Sequence, residues 1–130
     1  MTVVVGYVPK PEGRAALRRA VEEAAVRGES LLVLNTTRGD SWVDTRLAAG
    51  DDLEAVRAEL ASTGLQHEVR QLVGGHEAAD EVLAAAEEVD ASLIVIGLRR
   101  RSPVGKLLMG STSQRILLDA SCPVLAVKAD

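Results

Sequence analysis

The sequence has few aromatic residues, one cysteine and no long hydrophobic run. Aromatic residues make up 2% of the 130 positions, as Tyr7 and Trp42 with no phenylalanine. The core must therefore be aliphatic, and an aromatic platform for stacking RNA bases is not expected. The single cysteine, Cys122, excludes an intramolecular disulfide and a cysteine-based zinc cluster. Because Cys122 lies between Ser121 and Pro123 before an apolar run, we expect a buried, inert thiol.

The sequence also lacks a recognisable membrane or secretion signal. Its apolar stretches, such as Leu93-Ile94-Val95-Ile96, are far shorter than the roughly 20 residues that a spanning helix needs. No basic segment precedes the first apolar run. With 15 basic and 19 acidic residues the net charge is −4, which argues against broad binding to nucleic acid. We expect a soluble, cytoplasmic protein with one domain over residues 1–130 and no nucleic-acid or membrane partner.

Short apolar runs alternate with segments of helical periodicity along the whole chain. Four runs are nearly continuous, as is typical of strands covered on both faces of a parallel sheet: Val3 to Val8, Leu31 to Leu34, Leu93 to Ile96 and Val124 to Val127. A fifth, His67 to Val73, mixes polar and apolar residues and indicates an outer strand. The resulting order, β-α-β-α-β-α-β-α-β, predicts a doubly wound parallel α/β fold.

Four apolar stripes between the strands predict helices. Their residues are Leu17, Ala20, Val21, Ala24 and Ala25; Leu53, Val56 and Leu60; Ala79, Val82, Leu83 and Ala86; and Ile116, Leu117 and Ala120 in a helix beginning at Ser111 and ending before Pro123. Gly64 is a candidate left-handed cap, and Asp51-Asp52 at a helix start would favour its dipole.

A long connection is predicted from Thr36 to about Gly50. It contains Trp42, which could close over a ligand and stack on a base, or equally could pack against its own loop or a partner. The sequence leaves both alternatives open.

The segment leaving the fourth strand has the composition of an anion site. Ligands of open parallel sheets bind at the carboxyl ends of the central strands, from which Tyr7 to Gly13 and Gly97 to Gly110 would lead away. Gly110 permits close approach of the backbone, and Ser111 is a candidate cap for a helix whose free N–H groups would face a phosphate. Charge would come from four basic residues: Arg99, Arg100, Arg101 and Lys106. The alternative is a solvated basic loop before an ordinary helix start.

Other functional motifs are absent. The P-loop pattern fails because Arg100 stands at its first glycine and Leu107 at its hydroxyl position, and the turn Gly6 to Gly13 is not a dinucleotide fingerprint. The two histidines, His67 and His76, are too isolated for a metal site. We therefore predict no metal and no enzymatic role beyond slow, incidental ATP hydrolysis.

Several of these segments together resemble the universal stress protein family. They are the loop from Gly97 to Gly110-Ser111, the helix Ser113-Gln114-Arg115-Ile116-Leu117 and the strand Ser121-Cys122-Pro123-Val124-Leu125-Ala126-Val127. The resemblance covers the whole chain. It implies a flavodoxin-like, Rossmann-like three-layer sandwich with a five-stranded parallel sheet in the order 3-2-1-4-5. It also implies a role in stress response and a homodimer paired through the last strand, Pro123 to Val127.

The resemblance further implies binding of an adenine nucleotide such as ATP or AMP. The family pattern, Gly-x-x-Gly followed after nine residues by Gly-Ser or Gly-Thr, matches Gly97, Gly110 and Ser111, while Arg100 stands at its second glycine. Nucleotide-binding members have an aspartate where this chain has Val8. Because of these two departures, a protein-interaction module without nucleotide is the alternative.

In the nucleotide hypothesis each predicted site residue has a role. Backbone N–H groups of Gly97 and of Gly110, Ser111 and Thr112 contact phosphates. Arg99, Arg100 and Arg101 supply positive charge, and Tyr7, Pro9 and Asn35 shape the base and ribose side.

Overall fold

The fold is described by a computed structural model. It covers residues 1–36, 42–71, 77–98 and 110–129, with the backbone alone for residues 42–51. Strands and helices alternate as the sequence predicts. The elements are β1 (Thr2–Tyr7), α1 (Pro11–Arg27), β2 (Ser30–Asn35), α2 (Trp42–Ala61), β3 (His67–Gln71), α3 (Ala78–Glu88), β4 (Ala91–Leu98), α4 (Ser111–Asp119) and β5 (Val124–Lys128).

The five strands form one parallel sheet in the order β3-β2-β1-β4-β5, which confirms the predicted fold class and strand order. β1 lies at the centre, where Val5 pairs with Val33 of β2 on one side and with Val95 of β4 on the other. β3 lies at an edge, as its mixed polarity predicts. Its described part ends at Gln71, and residues 72 and 73 lie outside the described ranges.

Two aliphatic cores cover the sheet because successive strand residues point to opposite faces. Val3 and Val5 are fully buried against α1 and α2, whereas Val4 is fully buried on the face covered by α3 and α4. This double coverage explains why β1, β2 and β4 have nearly continuous apolar sequences. The arrangement is the three-layer α/β sandwich that was predicted.

The predicted long connection between β2 and the second helix is wrong over residues 42–50, because α2 begins at Trp42. Leu47, Ala48 and Ala49 favour helix, and Gly50 costs only about 1 kcal/mol relative to alanine within a helix. Asp51 and Asp52 consequently lie in the middle of α2, so their assignment to a helix start is also wrong. The side chain of Trp42 lies outside the described part of the chain.

Two glycines lie at helix ends, and the structure of α4 corrects two predictions. Gly28 and Gly64 have φ of 66° and 76°, the left-handed conformation predicted for Gly64. α4 begins at Ser111, but its cap residue is Gly110, so Ser111 is not the cap. Leu117, predicted within the buried stripe of α4, is 37% exposed because only Ile116 of that helix turns fully into the core.

No helix among the described residues is both long and apolar enough to cross a membrane.

Candidate functional site

A cleft lies at the carboxyl ends of β1 and β4, the two neighbouring strands whose connections leave towards opposite faces of the sheet. This is the position predicted for a ligand site in an open parallel sheet. Its volume is about 300 Å³. The described lining residues are Gly6, Val8, Lys10, Glu12, Gly13, Thr36, Ala78, Val82, Ile96, Gly97, Leu98, Gly110, Ser111, Thr112, Ser113 and Ile116.

The cleft brings together only part of the predicted site. Gly97, Gly110, Ser111 and Thr112 line it: Gly97 lies in β4, whereas the other three form the N-terminus of α4. Three other predicted residues are not among its described lining residues: Tyr7, Pro9 and Asn35. The four basic residues predicted to supply charge lie outside the described residues: Arg99, Arg100, Arg101 and Lys106.

Tyr7 has a structural environment instead of the predicted place beside the ligand. Strand alternation places its side chain with Val3 and Val5, so it is 1% exposed in the core beneath α1 and α2. Its hydroxyl donates a hydrogen bond to the carboxylate of Asp52. Burial and this hydrogen bond raise the pKa of Tyr7 above its ordinary value of 10.0, so the phenol stays neutral.

Asn35 and Pro9 are also not among the described lining residues, although Pro9 lies between two residues that are, Val8 and Lys10. Asn35 is 1% exposed, and its side-chain amide donates to the Gln71 side-chain oxygen over 2.8 Å, across β2 and β3. Pro9 is half-buried in the turn between β1 and α1. The sequence locates both residues correctly near strand ends, but strand ends have two faces and only one of them opens into the cleft.

The N-terminus of α4 forms one end of the cleft. The oxygen of Gly110 accepts a hydrogen bond from Gln114 N–H over 3.0 Å, and no side chain caps the helix. The first N–H groups of a helix have no intrahelical acceptor, so those of the first turn are available to a ligand. Ser111, Thr112 and Ser113 add three hydroxyl groups beside them. This turn contains no acidic residue, which leaves the positive end of the helix dipole uncompensated.

The helices α1 and α3 present a different environment at the same cleft. The first turn of α1 contains Glu12, and that of α3 contains Asp80 and Glu81. These carboxylates already interact favourably with the positive ends of their own helices. Of the three helix N-termini, that of α4 is therefore the best placed to receive an anion.

Close packing between α1 and the sheet explains two of the cleft's glycines. A Cβ atom on Gly97 would lie 2.0 Å from the carbonyl oxygen of Glu12, and one on Gly13 would lie 1.8 Å from that of Val8. Both distances are impossible, so these positions require glycine for packing alone. Gly97 was predicted as a ligand contact, and the structure adds this packing requirement to its position on the cleft.

The packing around Gly110 differs from that around Gly97 and Gly13. A Cβ atom there would meet no atom of the described residues within 4 Å, and its φ of −68° suits any residue. Neither the backbone conformation nor the described packing requires glycine at this position. Among the residues that the structure describes, none occupies the space beside it.

Sequence reasoning missed the apolar wall and the charged pair of the cleft. The wall is contributed largely by the face of the sheet and helices that carries the α3/α4 core, including Val82, Ile96 and Ile116. Lys10 and Glu12 are the charged residues among the described lining. Their position in the turn directly after β1 was the available signal, since that turn was already predicted to face the site.

The described residues contain no group of three or more His, Cys, Asp or Glu side chains placed to hold a metal ion. Cys122, which was predicted to be buried, is only half-buried against the α3/α4 core, and burial raises the pKa of its thiol. The cleft therefore offers N–H groups, hydroxyls and apolar contact, which are means of binding.

Relatives of known family match the chain over nearly its whole length. The model of the universal stress protein family matches residues 1–128. A universal stress protein of Mycolicibacterium smegmatis is 50% identical over 126 residues, covering 97% of this chain and 96% of the relative. One from Thermus aquaticus is 34% identical and covers 98% of each chain.

Solved structures agree. The universal stress protein from Archaeoglobus fulgidus superposes with a TM-score of 0.79 at 34% identity, over 98% of this chain and 97% of that one. A structure from the same organism in complex with dAMP gives 0.73 at 29% identity, over 98% and 96%. A universal stress protein in complex with cAMP gives 0.68 at 26% identity, over 100% and 98%. The family match and these identities show that the chain belongs to the universal stress protein family.

Proposed function

We propose that this protein is a stress-response module that binds an adenine nucleotide of the ATP or AMP type in the cleft between β1 and β4. The observation that carries the proposal is the N-terminus of α4, which has N–H groups without an intrahelical acceptor, three hydroxyls and no acidic residue in its first turn, next to Gly110, where a Cβ atom would meet no described residue within 4 Å. Such an end binds phosphate through both hydrogen bonds and the helix dipole.

The rest of the cleft suits the remainder of a nucleotide. Its volume of about 300 Å³ lies at the lower end of the range of small-molecule sites, about 300–1,000 Å³. The described lining includes three aliphatic side chains that are at most 4% exposed and form the floor of the cleft, Val82, Ile96 and Ile116, and it includes no aromatic side chain. The sequence adds Arg99, Arg100 and Arg101 directly after β4 as further phosphate partners.

Two structural neighbours support an adenine nucleotide as the ligand. One of these neighbours is a complex with dAMP and the other is a complex with cAMP, and their folds cover almost all of this chain. The proposed role is binding, and we expect at most slow, incidental ATP hydrolysis. We place this function in the cytoplasm.

We also propose a homodimer paired through β5. This strand is an edge of the sheet, bonded to β4 on one side, and Val124 to Val127 are each only half-buried. An exposed apolar edge strand is a ready template for pairing with a second chain.

Calorimetric titration with ATP, AMP and cAMP tests the nucleotide proposal when wild type is compared with Gly110→Asp. Aspartate is a strong N-cap, so the variant should be at least as stable as wild type while its carboxylate takes the N–H groups that a phosphate needs. We expect saturable heat for wild type and none for Gly110→Asp.

Gln66→Glu is the matched control, because it adds the same charge at an exposed position before β3, at the amino end of the sheet. It should bind as wild type does. Absence of heat and of thermal stabilisation by any of the three nucleotides at millimolar concentration would contradict the proposal. It would favour the alternative, a module that acts through protein interactions, to which Val8 and Arg100 point.

A further inference from the structure

Glu12 is the carboxylate among the described lining residues of the cleft. It is half-buried, and its side chain has no hydrogen-bond or ion-pair partner within the described part of the chain. The dipole of α1 favours a carboxylate in this first turn, which explains why it is tolerated there. The two carboxylate oxygens of Glu12 remain able to accept hydrogen bonds from a ligand.

A carboxylate at this position constrains which part of a ligand can face it. It repels phosphate, which the N-terminus of α4 attracts, so the favoured orientation of a nucleotide places a hydrogen-bond donor, a ribose hydroxyl or the amino group of the base, towards Glu12. In a 5′-nucleotide the ribose stands between phosphate and base and carries two neighbouring hydroxyl groups. One ionised carboxylate can accept both, one on each oxygen.

The packing of α1 holds Glu12 in place. A Cβ atom on Gly97 would lie 3.1 Å from the Cβ atom of Glu12, so the first turn of α1 is fixed against the end of β4. Val8, which precedes this turn and also lines the cleft, has an aliphatic side chain that accepts no hydrogen bond. The carboxylate acceptor on this side of the cleft is therefore supplied by α1.

We infer that Glu12 sets ligand specificity by accepting hydrogen bonds from the ribose 2′- and 3′-hydroxyl groups. The inference rests on the proposed function and deepens it. The site then prefers AMP, which has both hydroxyls free, over 2′-deoxyadenosine monophosphate and over 3′,5′-cyclic AMP. A site that does not contact the ribose hydroxyl groups would not distinguish the three nucleotides in this way.

The test is the dissociation constant of each of these three nucleotides for wild type, Glu12→Ala and Glu22→Ala. Hydrogen bonds to an ionised group lead us to expect that wild type prefers AMP by about tenfold to hundredfold. Glu12→Ala should reduce this preference to about threefold or less, chiefly by weakening AMP. Glu22 lies exposed on the same helix, so Glu22→Ala loses the same charge and should keep the preference.

Each other outcome has a distinct meaning. Equal binding of the three nucleotides by wild type, or tighter binding of cyclic AMP, overturns the role of Glu12 and leaves the proposed function standing. A uniform weakening of all three by Glu12→Ala also overturns it, since it shows a change in stability or general charge. No binding of any nucleotide overturns both the inference and the proposed function.

Discussion

The hydroxyl of Tyr7, at the end of β1, donates a hydrogen bond to the carboxylate of Asp52, in the middle of α2. The guanidinium of Arg14, on α1, lies 3.6 Å from the same carboxylate. Three elements on one face of the sheet are thus joined at a mostly buried carboxylate. The contact lies directly behind the turn from β1 to α1, whose other side lines the cleft.

Tyr7→Phe should lower the free energy of unfolding by about 1–2 kcal/mol, because it removes a hydrogen bond to a charged group without opening a cavity. Denaturation by urea measures the loss. Arg14→Gln is the control, since Arg14 is half-exposed and its removal keeps the hydrogen bond. A loss for Arg14→Gln that equals or exceeds that for Tyr7→Phe would contradict the importance of the hydroxyl contact.

Tyr7 should also make stability depend on pH in alkaline solution. Burial and the hydrogen bond to Asp52 raise the pKa of its phenol above 10.0 in the folded state, whereas the unfolded state ionises near that value. Above about pH 10 the unfolded state binds fewer protons than the folded state, so stability falls as pH rises. In Tyr7→Phe the free energy of unfolding should fall less steeply above about pH 10, because the variant has no phenol to ionise.

The phenolate absorbance provides an independent measurement, because Tyr7 is the single tyrosine of the sequence. In the folded protein it should appear well above pH 10, and in denaturant near pH 10. Ionisation of the folded protein at the denatured pH would disprove the buried contact.

Substitution by alanine should destabilise the protein at one glycine of the cleft and leave its stability unchanged at another. Gly97→Ala would place a Cβ atom 2.0 Å from the carbonyl oxygen of Glu12, so α1 must shift, and we expect a loss of about 1–3 kcal/mol in unfolding free energy. In Gly6→Ala the nearest atom lies at 3.8 Å, an ordinary contact, so stability should be kept. Chemical denaturation measures the free energy of unfolding of both variants. Equal losses would mean that the close approach of α1 at Gly97 does not require glycine.

Asp90 adopts a φ of 52°, in the exposed turn between α3 and β4. A β-branched residue is strained there, so Asp90→Val should cost about 1–2 kcal/mol. Asp90→Gly should be no less stable than wild type, because glycine adopts this conformation without steric cost. Melting temperatures of the two variants provide the comparison; if valine is tolerated as well as glycine, the left-handed conformation is not maintained in solution.

The sequence predicts the sheet well because its signals are local and redundant. Val3, Val4 and Val5 are all apolar, and only a strand buried on both faces requires that. The start of α2 escaped prediction because residues 42–50 lack a clear apolar stripe, so helix propensity alone distinguishes them from a loop. Strand alternation buries Tyr7 with Val3 and Val5, but the partner of its hydroxyl, Asp52, escaped prediction because it is a tertiary contact across 45 positions.

The cleft was predictable in position and only partly in composition. The motif glycines and Ser111 are recognisable because a spacing pattern connects them. Glu12 and Val82 belong to no motif, and they reach the cleft because α1 and α3 pack on opposite faces of the same strand ends. Even for Gly97, the pattern does not reveal that the glycine is also needed by the backbone of Glu12.

The proposed dimer makes a prediction about individual N–H groups of β5. The oxygen of Pro123 accepts a hydrogen bond from Ile94 N–H of β4 over 3.0 Å, so strand alternation turns the N–H of Ala126 away from β4, towards the open edge. Ala126→Pro removes this outward donor without breaking a bond to β4, and an edge strand tolerates proline at such a position.

If β5 pairs with a second copy, Ala126→Pro should sediment as a monomer. Ala126→Ser, which keeps the N–H group, should remain a dimer at the same concentration. Leu125→Lys would be a poorer test, since Leu125 packs against the α1 core and its loss would affect folding as well as pairing. A folded Ala126→Pro that stays dimeric would show that the copies meet through another surface, because proline in the centre of β5 removes a hydrogen bond that pairing through this strand needs.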